Sequence, residues 1–308
     1  MARYWLAGGG LAIARPGAFS AVRVKRMVAS GMRWTIALTA LGMAAGCGDN
    51  RPAPDADTSV PIAKICTPGD PLSVLVITRQ TLFFHQSNPV AAEAIRAQGT
   101  ALGWRVEVAG DPIVVTENQL TRTDVIVFSI TSGNILEPDQ RVLLERFFRS
   151  GGGFAGTHSA SATEWDWPFY TTQLVAAAFT THPAIFEGHS RIEAPSDPIV
   201  ADLPDPWIRA DEYFSFDRRP EDQGVHVLLA LDEAAVPDDY PRELEVGYHP
   251  IAWTHDHAGG RRFYNSLGHT IESYSEPLFL EVLERGIAWA GADHHAARCG
   301  AAAPAAPE

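Results

Sequence analysis

The chain has 308 residues, 24 Lys and Arg against 37 Asp and Glu, and a formal charge of −13. That acidity excludes a non-specific nucleic-acid binder, which needs a basic footprint. A content of 46% hydrophobic and 9% aromatic residues excludes a disordered chain, and three cysteines are too few for a disulfide scaffold.

Residues 1–46 carry six basic side chains (Arg3, Arg15, Arg23, Lys25, Arg26, Arg33) and no acidic one. An apolar run over 34–45 ends in A-A-G-C at 44–47. A basic segment, a short apolar segment and small residues before a cut site describe a secretory signal, with Met27 and Met32 as alternative starts. The run is too short to span a bilayer, which takes ~20 apolar residues. Cys47 directly after small residues resembles a bacterial lipobox, in which the cysteine is lipidated and becomes the mature N-terminus. The alternative is a plain cleaved signal with Cys47 incidental. Residues 47–71, rich in Pro, Asp and Ala, then read as the lipidated cysteine and a flexible linker. Export leaves 18 of the 24 basic residues against all 37 acidic ones. The membrane partner is therefore expected to be reached through the lipid rather than through charge. The expected location is the bacterial cell envelope, facing the periplasm or the exterior.

From residue 72 onward strands and helices alternate. The apolar, β-branched run at 72–78 predicts a buried parallel strand. Helical spacing over 89–102, a strand at 104–109 and the run D-V-I-V-F-S-I at 124–130 follow. Residues 138–149 predict a helix that opens on Pro138 and buries Val142, Leu143, Phe147 and Phe148, and 151–157 predict the next strand. This βαβαβ order implies a parallel sheet covered on both faces, a three-layer αβα architecture. Further strands are expected at 186–194, 207–216, 225–231, 250–254 and 262–267, and a final helix at about 277–290. His255 to Gly260 reads as a hairpin turn, His294-His295 as tail. One domain over 72–292 fits better than two, with an Ala/Pro-rich tail over 293–308. Cys66 and Cys299 sit just outside its two ends and either pair as a disulfide or remain free thiols.

In open parallel sheets ligands bind at the carboxyl ends of the strands. Those ends carry His85, His158-Ser159, His182, Asp211-Glu212-Tyr213, His249 and His269. Any one of them alone reads as an ordinary core or loop residue. As a set they suggest one cleft, able to move protons or to hold at most one divalent ion, zinc or manganese. The ligands would come from His85, His158, His182, His249, His269 and Glu212, with His158, His182 and His249 the first choice.

Several stretches resemble the trehalose-utilisation (ThuA-like) family: F-F-H-Q-S-N at 83–88, G-G-G-F-A-G-T-H-S-A at 151–160, D-E-Y-F-S-F at 211–216, H-P-I-A-W-T-H-D at 249–256 and G-G-R-R-F-Y-N-S-L-G-H-T at 259–270. The resemblance runs in order through nearly all of 72–292. It implies a flavodoxin- or class I glutamine amidotransferase-like fold with a mostly parallel central sheet plus extra strands. It also implies action on a carbohydrate or keto-sugar derivative. Glutaminase chemistry of the amidotransferase kind is not expected, because His158 stands in the turn where such enzymes place a nucleophilic Cys. Within this reading His158, His249, Glu212 and Asp211 are the candidate catalytic residues. His85, Trp167, Tyr170, Tyr213, Trp253 and His269 are the candidate substrate contacts, Trp167 and Trp253 nearest the site. The alternatives are a non-catalytic carbohydrate-binding protein and a structural envelope lipoprotein.

Overall fold

Strand β1 (Ser73–Ile77) is apolar at nearly every position because both its faces are covered. In a computed structural model, which describes residues 57–67, 69–110 and 115–300, Val74 and Val76 point into one core layer, Leu75 and Ile77 into the other. The expected signal over 1–46, Cys47 and residues 301–308 lie outside the described residues. After β1 come α1 (Asn88–Ala101), β2 (Arg105–Ala109), α2 (Glu117–Leu120), β3 (Val125–Ser129), α3 (Pro138–Arg149) and β4 (Gly153–Thr157). Then follow β5 (Phe179–Thr181), β6 (Phe186–Ile192), β7 (Trp207–Asp211), β8 (Ser215–Phe216), β9 (His226–Leu231), β10 (His249–His255), β11 (Arg262–Asn265) and α4 (Pro277–Cys299).

One nine-stranded sheet runs β2-β1-β3-β4-β11-β10-β9-β6-β7. The strands β2, β1, β3, β4 and β11 are parallel, and the extra strands β10, β9, β6 and β7 continue the sheet antiparallel. Helices α1 and α4 pack on one face through Ile95, Val282, Leu283 and Ile287; α3 packs on the other through Leu144, Phe147 and Phe148. The chain is thus α/β with three layers. Helix α3 starts where its sequence says, since Pro138 lacks the N–H that a first turn leaves unpaired and the Gln140 side chain accepts from the Glu137 N–H at 2.9 Å.

Three expectations are corrected. Helix α4 runs on to Cys299, past Ala290, and His294 and His295 are buried in it rather than tail. Their polarity is absorbed by the fully buried Asp124 at the start of β3, which accepts from Arg298 Nε (2.7 Å) and Nη2 (2.9 Å), His295 Nδ1 (3.0 Å) and the Ser73 N–H (2.8 Å). Second, part of the expected linker is docked. Ile62 is buried, the Ile65 N–H donates to the Thr121 carbonyl (2.9 Å) and Arg298 Nη1 donates to the Ile65 carbonyl (2.8 Å). The adjoining Cys66 forms a disulfide with Cys299, closing a sequence separation of 233. Third, the single strand expected over 207–216 breaks into β7 and β8 after Asp211, whose carboxylate takes three loop N–H groups, those of Glu212 (2.9 Å), Gly268 (2.8 Å) and His269 (3.0 Å). Glu212 is thereby turned out of the sheet, and β8 pairs instead with β5.

Candidate functional site

Residues that follow the carboxyl ends of β1, β4, β7 and β11 meet at one point. His158 follows β4 immediately and adopts φ +49°, a left-handed conformation that costs a non-glycine residue energy and places its ring in the cleft. The ring is fully buried, and Nδ1 lies 2.9 Å from the Ser266 carbonyl. A carbonyl only accepts, so Nδ1 carries the proton and Nε2 presents a lone pair to the cleft. Three other groups face that lone pair: His85 Nε2 at 3.3 Å, His269 Nδ1 at 3.3 Å and Glu212 Oε2 at 3.6 Å. His269 Nδ1 is also 2.9 Å from Glu212 Oε2. These four ligand-capable atoms all lie within 4.8 Å of one another.

Each group is held from behind. The Gln80 side chain meets His85 at both its N–H (3.2 Å) and Nδ1 (3.2 Å). Asp211 holds the backbone of Glu212 and His269, and Ser87 Oγ donates to the His269 carbonyl at 2.7 Å. Burial, with His85 close by, pushes the His158 imidazole well below its usual range. Burial, with His269 next, pushes His85 down to about 4. A hydrogen bond donated to the Glu212 carboxylate raises His269. At neutral pH the first two rings are therefore neutral.

The cavity above these groups is about 70 Å³, and Phe83, Phe179 and Phe214 form its apolar wall. The Phe214 ring packs 4.6 Å from His158 and stacks on His182 at 5.5 Å. His182 Nε2 reaches Glu212 Oε2 at 3.4 Å while its Nδ1 faces the Pro183 carbonyl at 2.8 Å. Trp165 stands 42% exposed at the rim, edge-on to Phe83. A larger polar groove of about 700 Å³ lies by Asp70, Arg105 and Arg122, but at the amino ends of the parallel strands, away from every imidazole of this cluster.

Of the six groups expected to share a cleft, His85, His158, His182, Glu212 and His269 do so. His249 does not: Nδ1 meets Glu233 Oε1 at 2.9 Å and Nε2 the Phe214 carbonyl at 2.9 Å, so neither nitrogen is left for an ion or a substrate. The expected ligand trio of His158, His182 and His249 is thus replaced by His85, His158, His269 and Glu212. Asp211 is committed to Arg209 (3.0 Å) and to the loop N–H groups, so it positions Glu212 and His269 rather than exchanging protons.

Four of the expected substrate contacts are core. The Tyr213 hydroxyl donates to the Gly188 and Arg209 carbonyls, that of Tyr170 to the Ala160 carbonyl, and Trp253 Nε1 to the Val175 carbonyl. Trp167 is buried against Phe169 and Tyr170. In their place stand Phe83, Phe179 and Phe214, which the sequence reading missed. One signal was available: extended backbone alternates sides, so in D-E-Y-F the partner of Glu212 is Phe214 and not Tyr213. The Ser159 hydroxyl, at a strand end that the sequence singled out, is buried in the cavity wall with no hydrogen-bond partner among the described residues.

The family described as trehalose utilisation, ThuA, matches residues 73–290. A ThuA-like protein from Bacteroides uniformis ATCC 8492 is similar in fold, with a TM-score of 0.61 and 18% identity over 74% of this chain and 94% of its own. One from Parabacteroides merdae ATCC 43184 is similar with a TM-score of 0.58 and 18% identity over 73% and 91%. No curated protein sequence matches.

Proposed function

This chain belongs to the trehalose-utilisation (ThuA) family, and on that premise we propose that it is an enzyme acting on a carbohydrate or keto-sugar derivative seated against His85, His158, His269 and Glu212. The convergence of three imidazoles and one carboxylate from four separate loops within 4.8 Å carries the reading. Such a set moves protons at a sugar hydroxyl or beside a keto carbon. His182, 32% exposed and 3.4 Å from Glu212, is the group best able to exchange a proton with substrate and solvent. The cavity of about 70 Å³ is far below the ~300–1,000 Å³ of pockets that enclose a whole ligand. It would take one edge of the sugar, leaving the apolar face of the ring on Phe83 and Trp165. A thiolate nucleophile has no part in this reading, since Cys66 and Cys299 are bonded to each other.

Thermal melting against a panel of mono- and disaccharides and their keto derivatives, followed by product analysis, tests the proposal. A saturable ligand at 100 times its Kd stabilises by about 2.7 kcal/mol. His182→Ala should then lower turnover by ~10²–10⁴-fold while the sugar still stabilises the protein. No stabilisation by any member of the panel would refute the reading; stabilisation without turnover would make this a binding protein instead.

The basic, apolar, A-A-G-C order of residues 1–47 supports export and a lipid anchor on Cys47 as a second part of the proposal. Mature protein should begin at an acylated Cys47, and recovery of peptides from 1–26 would overturn this.

A further inference from the structure

His158 Nε2 is the point on which three other ligand-capable groups converge. Its Nδ1 donates to the Ser266 carbonyl, so Nε2 only accepts, yet His85 Nε2 (3.3 Å), His269 Nδ1 (3.3 Å) and Glu212 Oε2 (3.6 Å) all crowd it. The carboxylate oxygen is itself an acceptor. A neutral imidazole offers one lone pair, and one hydrogen bond uses it. Protons pair these groups two by two, His85 with His158 and His269 with Glu212, whereas one cation between the four atoms would engage all of them at once.

We propose that His85 Nε2, His158 Nε2, His269 Nδ1 and Glu212 Oε2 are the protein ligands of a single divalent transition-metal ion, zinc or manganese. Bonds of ~2.1 Å to one ion put neighbouring ligands ~3.0–3.4 Å apart and opposite ones ~4.2 Å apart. The shorter separations here run from 2.9 to 3.6 Å and none exceeds 4.8 Å. Imidazole nitrogen with one carboxylate oxygen is the donor set that first-row divalent ions take in preference to calcium or magnesium. The outer contacts are those of a built site: Ser266 fixes the tautomer of His158, and Asp211 holds the backbone of Glu212 and His269. Five- or six-fold coordination leaves a position toward the cavity. There the partnerless Ser159 hydroxyl can bond a water or a sugar oxygen on the ion.

The centre deepens the carbohydrate reading and rests on it for its role, but its test does not need a substrate. The full chain is stripped with chelator and titrated with zinc and with manganese by calorimetry, with metal content measured after gel filtration. One ion per chain is expected. His158→Ala and Glu212→Gln should each weaken binding by more than the ~10–100-fold that loss of an outer contact costs. His249→Gln should leave it unchanged, because that ring is bonded to Glu233 and Phe214. If His158→Ala does not fold, His85→Ala and His269→Ala, part-buried at the cavity mouth, take its place. Binding weaker than ~1 mM, or binding untouched by the ligand variants, overturns the centre. Sugar-induced stabilisation is recorded on stripped and loaded protein. Sugar binding without metal binding refutes the centre alone, and metal binding without any sugar effect refutes the carbohydrate reading alone.

Discussion

Two buried clusters of histidine and carboxylate occupy opposite ends of the parallel sheet, and they behave oppositely. At the amino end Asp124 is surrounded by donors: Arg298, His295 and the Ser73 N–H. Burial alone would raise its carboxyl pKa, but His294, Arg298 and Ser73 outweigh it and hold the group down to about 2. The counter-charge is built in, and the cluster locks α4 to β3 beside the Cys66–Cys299 bond. At the carboxyl end Glu212 has no arginine in contact among the described residues. It faces the imidazoles of His158, His182 and His269 instead. The same residue types make a structural lock where a fixed cation is present and the proposed reactive centre where it is missing.

Removing each carboxylate should separate the two roles most sharply. Asp124→Ala leaves the Arg298 guanidinium buried without its partner, and a loss of about 3–5 kcal/mol is expected from denaturant unfolding. Glu212→Gln, whose partners His182 and His269 are partly exposed, should shift stability by less than ~1 kcal/mol while abolishing function. Comparable losses at both sites would break the contrast.

Acid sharpens it next. A carboxyl depressed from the ordinary ~3.9 to about 2 contributes stability above pH 4 that is lost as pH falls toward 2, about 2.6 kcal/mol in all. Unfolding free energy measured across that window should fall in the parent and stay flat for this contribution in Asp124→Asn.

The smallest effect is expected at the rim. Phe83→Ala removes a 39% exposed ring, so stability should move by no more than ~0.5 kcal/mol. Sugar affinity should weaken by roughly 1 kcal/mol, about fivefold, if the ring carries the sugar face. Unchanged affinity would move the sugar off this wall.

Much of the fold was legible in local pattern. Alternating apolar runs, the Pro138 start of α3 and the βαβαβ order depend on neighbours within a few residues, where period and turn chemistry act. The end of α4 was not legible, because the residue that makes buried His295 and Arg298 acceptable is Asp124, 171 positions before His295. The site divides along the same line. Strand-end position singled out His85, His158, His182, Glu212 and His269, since the topology of an open sheet puts loop residues at one edge. It singled out His249 equally, and only the fold brings Glu233 and the Phe214 carbonyl to its two nitrogens. Tyr213 and Phe214 are adjacent aromatics; a carboxylate from β7 capturing the loop at 268–269 decides which of them faces the cleft. The sequence alone determined which chemistry could gather at the sheet's edge, because residue type and strand order are local properties. The tertiary structure alone decided which groups keep a free lone pair there, because partners supplied from distant segments use up the rest.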